Sequence, residues 1–230
     1  MLPIAILAGG LATRLRPITE AIPKALVEIA GEPFLGHQLR LLSQRGIERV
    51  VLCVGYLGEQ VRDYAGNGSA FGLHVDYSFD GPRLLGTAGA IRQALPLLGE
   101  NFFAIYGDSY LPCDYGDAAR TFLESGKPGL MTVFRNDGRW DRSNVEYAEG
   151  RILAYDKANR TPRMHHIDYG LGVFRRRAFD TAPPDQPCDL AAVYQDLLRR
   201  GELAAWEARE RFYEIGSLEG IRELTEFLSR

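Results

Sequence analysis

A pair of adjacent glycines and three cations follow the first apolar run of the chain. The run covers residues 2–8, Gly9-Gly10 ends it, and Arg14, Arg16 and Lys24 come next. Adjacent glycines let a backbone approach a ligand closely and turn its N–H groups toward an anion. The segment therefore predicts a loop that binds a polyphosphate, although the glycine pair alone would equally fit a tight turn.

This loop differs from two common nucleotide-binding fingerprints. Its glycines are adjacent and no third glycine opens a helix behind them, so the segment lacks both GxGxxG and GxxxxGK[ST]. We therefore expect neither a dinucleotide-binding oxidoreductase nor a P-loop enzyme.

A carboxylate stands at the end of another apolar run. Residues 102–106 predict a buried strand, and Gly107 and Asp108 follow it directly. An aspartate at this position could hold a hard cation such as Mg²⁺ or could cap a turn. Asp108 is thus a candidate metal ligand.

The elements that must position these residues alternate between strands and helices. Strands are predicted at 2–8, 49–54, 73–78 and 102–106, and helices at 35–44, at 58–65 and from Thr87. This alternation predicts an α/β fold with a doubly wound, mostly parallel, Rossmann-like sheet. Ligands of such sheets bind beyond the C-terminal strand ends, so Gly9-Gly10 and Asp108 should face one crevice.

The second half of the chain has a different pattern. Strands at 130–135, 144–148 and 152–157 predict a small antiparallel insertion, 169–176 returns to the main sheet, and helices follow at 189–200 and 217–228. No Ser/Pro-rich linker separates the two halves. We therefore expect one domain over residues 1–230.

Six segments of the chain form one ordered set of motifs. The longest is LAGGLATRLRPITEAIPKAL at 7–26, and the others are LLGTAGAI at 84–91, YGD at 106–108, YDK at 155–157, DYGLGVF at 168–174 and FYEIGS at 212–217. Together they resemble the signatures of the sugar-1-phosphate nucleotidyltransferase family, and in particular of its bacterial muramate, heptose and mannose members. The chain departs from the family pattern at Ala12, at Ala25 and at Glu214, where aspartate is usual. The resemblance covers nearly the whole chain.

The resemblance implies a reaction and a role for each motif. A phosphate oxygen of a sugar 1-phosphate attacks the α-phosphorus of a nucleoside triphosphate, which releases pyrophosphate and forms a nucleotide-activated sugar. Arg14 would bind the leaving phosphates, Lys24 the α-phosphate, and Asp108 with Glu214 would hold Mg²⁺. A non-catalytic sensing or assembly subunit with the same fold is the alternative, but such a subunit could dispense with these charged residues.

The remaining candidate residues are also carried over from the family. About 1–128 would be the nucleotide-binding half and about 129–230 the sugar-binding half. The nucleotide would contact Leu7, Ala8, Gly9, Gly10, Asp80, Gly86, Thr87 and Ala88, with Asp80 a candidate for reading the base. The sugar phosphate would contact Asn144, Lys157, Asp168 and Gly170. Asn and Asp also serve turns, and Lys157 could be a solvated turn lysine.

Composition limits the partners. The formal net charge is −3, hydrophobic residues make up 46%, and the three cysteines are widely spaced. These values argue against a general nucleic-acid binder, a zinc site or a disulfide scaffold. With no apolar run long enough for a membrane span and no signal peptide, we expect a cytoplasmic enzyme without a β-helix acyltransferase domain. NTP and sugar 1-phosphate are its expected partners and a homo-oligomer is possible, while the sequence leaves open GTP, UTP, CTP or dTTP and the identity of the sugar.

Overall fold

A computed structural model describes residues 1–10, 18–183 and 186–229 of the chain. Within these residues the strands are β1 (Ile4–Leu7), β2 (Glu28–Ile29), β3 (Glu32–Pro33), β4 (Arg49–Val54), β5 (His74–Phe79), β6 (Asn101–Tyr106), β7 (Ser109–Tyr110), β8 (Gly129–Arg135), β9 (Val145–Ala148), β10 (Arg151–Tyr155), β11 (His166–Arg175), β12 (Leu203–Glu207) and β13 (Tyr213–Glu214). The helices are α1 (Ile18–Ala21), α2 (Phe34–Gln44), α3 (Gly58–Ala65), α4 (Gly86–Leu98), α5 (Tyr115–Ser125), α6 (Leu190–Arg199) and α7 (Leu218–Leu228).

The first half of the chain forms the parallel part of a nine-stranded sheet. Strands β5, β4, β1 and β6 lie side by side in that order, and Ile4 stands opposite Val50 on one side and Phe103 on the other. Strands β1, β4 and β6 are apolar along most of their length because helices cover both faces of the sheet, whereas the edge strand β5 carries polar residues. The predicted doubly wound α/β fold is thereby confirmed.

The two faces of the sheet carry separate apolar clusters. One cluster packs α2, α3 and α5 against the sheet, and its largest buried side chains include Tyr115 and Phe122. The other cluster packs α4 and α6 against the opposite face around Phe102, Phe174 and Tyr194. The sheet is therefore the middle layer of three, and its strand ends stay available for a site.

The second half of the sheet is mixed. Strand β11 runs antiparallel to β6 and β8, and β12 pairs in parallel with β8 at the sheet edge. The strand predicted at 130–135 is β8, which is antiparallel to β11, and β8, β9 and β10 all extend the main sheet. The residues of β8 are buried along nearly the whole strand, as expected where both faces are covered. Strands β9 and β10 do form the predicted antiparallel hairpin.

One buried glutamine links the helical layer to the end of β6. Gln38, on α2, is 1% exposed, and its Nε2 donates to the carbonyl oxygens of Tyr106 at 3.1 Å and Ser109 at 2.8 Å. These two carbonyls flank Gly107 and Asp108. Gln38 therefore holds in place the turn on which the candidate metal ligand stands.

A small second sheet brings the end of the chain to the same turn. Strand β7 pairs antiparallel with β13, and Glu214 stands opposite Ser109. The N–H of Ile215 also donates to the carbonyl oxygen of Asp108 at 3.0 Å. The two residues predicted as metal ligands are over a hundred positions apart in sequence, yet Glu214 lies on β13 and Asp108 lies in the turn just before its partner strand β7.

No helix in the described ranges is long and apolar enough to span a membrane.

Replacing Gln38 tests how strongly this turn is held. We expect Gln38→Met to lower the free energy of unfolding by about 2 kcal/mol, because two buried carbonyl groups lose a hydrogen-bond donor. Urea denaturation measures the change. Gln44→Met, at the exposed end of the same helix, should stay within about 0.5 kcal/mol of wild type. Equal losses in the two variants would contradict this assignment.

Candidate functional site

A cavity of about 290 Å³ opens at the C-terminal ends of β1 and β6. It brings together most of the residues that the sequence predicted for a nucleotide. Its lining consists of Leu7, Ala8, Gly9, Gly10, Lys24, Ala25, Cys53, Asp80, Leu84, Gly86, Thr87, Ala90, Tyr106, Gly107 and Asp108. The glycine loop and Asp108 therefore face one crevice, at the position where doubly wound sheets bind their ligands.

Two glycines allow the strand ends to approach closely around this cavity. A Cβ on Gly107 would lie 2.7 Å from the carbonyl oxygen of Leu7 and 2.9 Å from Cα of Ala8. A Cβ on Gly9 would lie 3.1 Å from the backbone nitrogen of Gly55. Because backbone atoms cannot give way as a side-chain tip can, glycine is required most strictly at position 107.

Lys24 and Asp108 form an ion pair at the cavity. Nζ of Lys24 lies 2.5 Å from Oδ2 of Asp108, and both side chains are partly exposed, by 21% and 31%. A Cβ on Gly216 would lie 3.6 Å from Nζ of Lys24 and 3.8 Å from Oε1 of Glu214. One cation and two carboxylates therefore cluster at this point.

The cluster can be compared with the requirements of a metal site. Among the residues that the structure describes, no group of three or more His, Cys, Asp or Glu side chains is arranged to hold a metal ion. Asp108 and Glu214 supply two carboxylates on the paired strands β7 and β13 and the turn before them. Hard divalent cations accept such oxygens together with water and phosphate oxygens, so the donor set fits Mg²⁺ when phosphates complete it.

Two predicted cations cannot be placed. Arg14, the candidate for the leaving phosphates, and Arg16 lie outside the described residues, as does Ala12.

The start of α4 was predicted to contact the nucleotide, but two of its backbone N–H groups bind another part of the chain. The N–H groups of Ala88 and Gly89 donate to the carbonyl oxygen of Cys188, and the hydroxyl of Thr87 accepts from the N–H of Leu190. Gly86 has φ +72°, and a Cβ there would lie 2.6 Å from the same carbonyl oxygen. Gly86 and Thr87 line the cavity, whereas Ala88 is fully buried beneath this connection.

Asp80 lines the cavity and is held there by a backbone hydrogen bond. Its Oδ2 accepts from the N–H of Leu85 at 3.2 Å and would lie 3.5 Å from a Cβ on Gly9. Burial raises the pKa of the Asp80 carboxyl above its usual value, and the bond from Leu85 offsets only part of that effect. This carboxylate is therefore costly when charged, and it has remaining capacity to accept hydrogen bonds from a ligand.

The predicted sugar-side residues form a second cluster. Oδ1 of Asn144 accepts from the N–H of Asp168 at 2.9 Å, and Oδ1 of Asp168 accepts from the N–H of Gly170 at 3.1 Å. The hydroxyl of Tyr155 donates to the other carboxylate oxygen of Asp168 at 3.2 Å. Burial raises the pKa of Asp168, while Lys157 is the largest of the influences that lower it.

Tyr106 connects this cluster to the cavity at the glycine loop. It lines the cavity, and its hydroxyl accepts from Nζ of Lys157 at 3.4 Å. The sequence reasoning used the segments YGD and YDK only for Asp108 and Lys157, and it missed Tyr106, Tyr155 and Gln38. The two tyrosines stand inside those very segments, which is a usable signal, but nothing local distinguishes Gln38 from any other helical glutamine.

Comparison with known proteins identifies the family. The family model described as nucleotidyl transferase matches residues 4–144. This chain belongs to the nucleotidyl transferase family. The family prediction made from the motifs at 7–26 and 84–91 is thus confirmed.

Individual relatives agree with this membership. The N-acetylmuramate alpha-1-phosphate uridylyltransferase of Neisseria meningitidis serogroup B is 30% identical over 224 residues, covering 95% of this chain and 94% of that protein. The glucose-1-phosphate thymidylyltransferase of Streptomyces antibioticus is 34% identical over 174 residues, covering 74% of this chain and 48% of that protein. The present chain thus spans about half the length of the Streptomyces protein. Both names are those of enzymes, which supports the catalytic reading over the non-catalytic subunit.

A solved structure shares the fold. The crystal structure of a Bacillus anthracis protein in complex with sucrose matches 99% of this chain and 95% of that chain, with a TM-score of 0.86 at 19% identity. At this identity the likeness shows the fold alone.

The burial of Asp80 predicts a pH-dependent stability. The pKa of Asp80 is higher in the folded protein than in the unfolded chain. Above the folded pKa, the charged carboxylate therefore lowers the free energy of unfolding by its full amount. This loss disappears as the pH falls below the pKa of the unfolded chain, near 3.8. We expect Asp80→Asn to be more stable than wild type at neutral pH, with a difference that vanishes in acid. Urea midpoints across this range measure it.

Asp63→Asn, on the exposed side of α3, is the matched control and should not show this gain in stability at neutral pH. A lower midpoint for Asp80→Asn at neutral pH would show that the carboxylate has a stabilising partner.

Proposed function

We propose that the protein transfers a nucleoside monophosphate from an NTP to a sugar 1-phosphate, releases pyrophosphate and forms a nucleotide-activated sugar. The observation that carries this proposal is one continuous arrangement of groups. Lys24 and Asp108 meet at the glycine loop, and Tyr106 connects this point to Lys157 on the sugar side. Each end offers a cation where the reaction has a phosphate.

The chemistry requires one bond to form and one to break. A phosphate oxygen of the acceptor attacks the α-phosphorus, and the bond from that phosphorus to the bridging oxygen of the β-phosphate breaks, so that its electron pair leaves with pyrophosphate. Such transfers depend on alignment and on neutralising charge more than on proton transfer by the protein. Lys24 is suited to charge on the α-phosphate because its compact ammonium can turn toward it, and Arg14 would bind the leaving group.

Asp108 and Glu214 would hold Mg²⁺. The bound ion would neutralise phosphate charge and help orient the triphosphate. Glu214 stands where the family generally has aspartate, and its Oε1 and Nζ of Lys24 would both lie within 3.8 Å of a Cβ on Gly216.

On the acceptor side, Lys157 would pair with the phosphate of the sugar 1-phosphate. Asn144 and Asp168 would bind hydroxyl groups, and Gly170 would leave room for the ring. Gly170 has φ +97°, which favours glycine, and a Cβ there would lie 3.5 Å from Tyr106, 3.6 Å from Ser109 and 3.9 Å from Leu111. The Asp168 carboxylate accepts from the Tyr155 hydroxyl and the N–H of Gly170, and the backbone N–H of Asp168 donates to Oδ1 of Asn144, so the carboxylate is ordered before a substrate arrives.

The two relatives suggest which substrates to test first. One is named for uridylyl transfer to N-acetylmuramate 1-phosphate and the other for thymidylyl transfer to glucose 1-phosphate. GTP or CTP with a mannose or heptose 1-phosphate remain the other pairs, and Asp80 is the proposed base-reading residue. We further propose a single domain with a nucleotide half and a sugar half, a cytoplasmic enzyme of cell-wall or cell-surface precursor synthesis, and a possible homo-oligomer.

A substrate panel tests the activity. We expect pyrophosphate release when one NTP, Mg²⁺ and one of the muramate, glucose, mannose or heptose 1-phosphates are mixed with the protein. Lys24→Met and Asp108→Asn should each lower kcat on the active pair by about 10²- to 10³-fold, because each removes charge stabilisation at the reacting phosphate.

Lys127→Arg is the control. Lys127 donates to the carbonyl oxygen of Leu203, away from the cavity, and its replacement should leave turnover unchanged. No release of pyrophosphate by wild type on any pair would refute the proposed activity. Unchanged nucleotide preference in Asp80→Ala would remove Asp80 from base selection.

The Lys24–Asp108 pair also predicts the metal affinity of the free protein. Lys24 neutralises a carboxylate that the metal needs, so we expect Lys24→Met to bind Mn²⁺ about fivefold more tightly than wild type without nucleotide. Electron paramagnetic resonance of free Mn²⁺ during a titration measures this affinity. Lys127→Met should match wild type, and an unchanged or weaker affinity in Lys24→Met would show that Asp108 is not a ligand.

A further inference from the structure

Tyr106 occupies the boundary between the nucleotide cavity and the acceptor side. It is the last residue of β6, and it lines the cavity that the glycine loop also lines. A Cβ on Gly170 would lie 3.5 Å from Cδ2 of its ring. Tyr106 therefore borders both the cavity and the acceptor side.

The same ring contacts the cation assigned to the acceptor phosphate. Nζ of Lys157 lies 5.4 Å from the ring centroid and 3.4 Å from the hydroxyl oxygen. Lys157 is exposed on a bend after β10, and an exposed lysine would otherwise sample many rotamers. A cation held over an aromatic face and by a hydroxyl keeps its ammonium in a smaller volume.

The chemistry of the hydroxyl suits this role. A phenol hydroxyl can accept one hydrogen bond and donate another at the same time. Its oxygen accepts from Lys157 and its proton remains available to a phosphate oxygen.

We propose that Tyr106 is a positioning residue for the acceptor, holding the ammonium of Lys157 where the phosphate of the sugar 1-phosphate binds. This role rests on the proposed function. Without the hydroxyl, the acceptor itself must order Lys157 on binding, so acceptor affinity falls while the triphosphate binds as before. A ring that served mainly to pack against the base would give the opposite result.

Kinetics on the active substrate pair distinguish the two roles. We expect Tyr106→Phe to raise KM for the sugar 1-phosphate about tenfold, as for loss of a hydrogen bond to a charged group, and to leave KM for the NTP within twofold. The double variant with Lys157→Met should have the same acceptor KM as Lys157→Met alone, because the two residues act as one unit. Tyr77→Phe is the control. Tyr77 lies on β5, its hydroxyl donates to the carbonyl oxygen of Gly66, and the variant should match wild type.

A second measurement reads the contact without turnover. The chain has three lysines, so acetylation of each can be followed by peptide mass spectrometry. Tyr106→Phe should speed the acetylation of Lys157 and leave that of Lys127 unchanged, since the latter bonds a distant carbonyl.

The possible failures are distinguishable. An inactive wild type refutes the proposed function and with it the acceptor role of Tyr106. If the wild type is active, three results overturn the inference about Tyr106 but leave the proposed function intact. They are a change in KM for the NTP in Tyr106→Phe, additive effects in the double variant, and unchanged acetylation of Lys157.

Discussion

The close approach of the ends of β1 and β6 is the constraint on which the site depends. Gly107 donates its N–H to the carbonyl oxygen of Leu7 at 2.9 Å, at a distance that leaves no room for a side chain. The contact continues the parallel pairing of the two strands by one residue, just where both chains turn away from the sheet. It therefore brings the backbone of the glycine loop and the carboxylate of Asp108 to one side of a small cavity. Gln38, from the helix layer below, holds the carbonyls on either side of this turn.

From this contact the charges of the site follow. A polyphosphate needs cations near the glycine backbone, and a metal needs carboxylates near the phosphates, so ligands of opposite charge must stand within a few ångströms of each other. In the free protein Lys24 and Asp108 neutralise one another directly. Such a partly exposed pair is weak, which suits it to exchange partners: the ammonium can pass to a phosphate while the carboxylate passes to a cation. A stronger, deeply buried pair would oppose that exchange.

The sequence predicted those parts of the molecule whose signals are local. The parallel strands are apolar runs, the helices have apolar residues at helical spacing, and the motif at 7–26 is long enough to identify a family. The helix α5 carries comparable signals, with Asp114 at its N-cap and buried residues at 115, 118, 119 and 122, and they were overlooked. The strand β12 is short and rich in alanine, so its pairing with β8 depends on tertiary contacts that no local pattern contains.

The start of α4 shows the same limit for a site residue. Its sequence, rich in small residues, is consistent with backbone donors that face a ligand, but the residues that satisfy those donors lie about a hundred positions later, around Cys188. That connection ties α4 to α6, whose N-cap Asp189 accepts from Ala191. The cavity and α6 are thus joined through backbone hydrogen bonds, and small residues at 86–89 serve this junction as well as the cavity.

The use of lysine in this arginine-rich chain follows from the same physics. Only three of the 27 basic residues are lysines. Lys127 has a structural role, since it donates to the carbonyl oxygen of Leu203. Surface arginines form many of the ion pairs with neighbouring carboxylates. Lys24 and Lys157 instead meet groups that a substrate could replace, a partly exposed carboxylate and a phenol. A guanidinium would form a planar, bidentate contact with Asp108 that is harder to release, whereas an ammonium on a flexible stem can turn from one oxygen to the next. The two lysines are therefore placed where the proposed reaction needs a cation that changes partners.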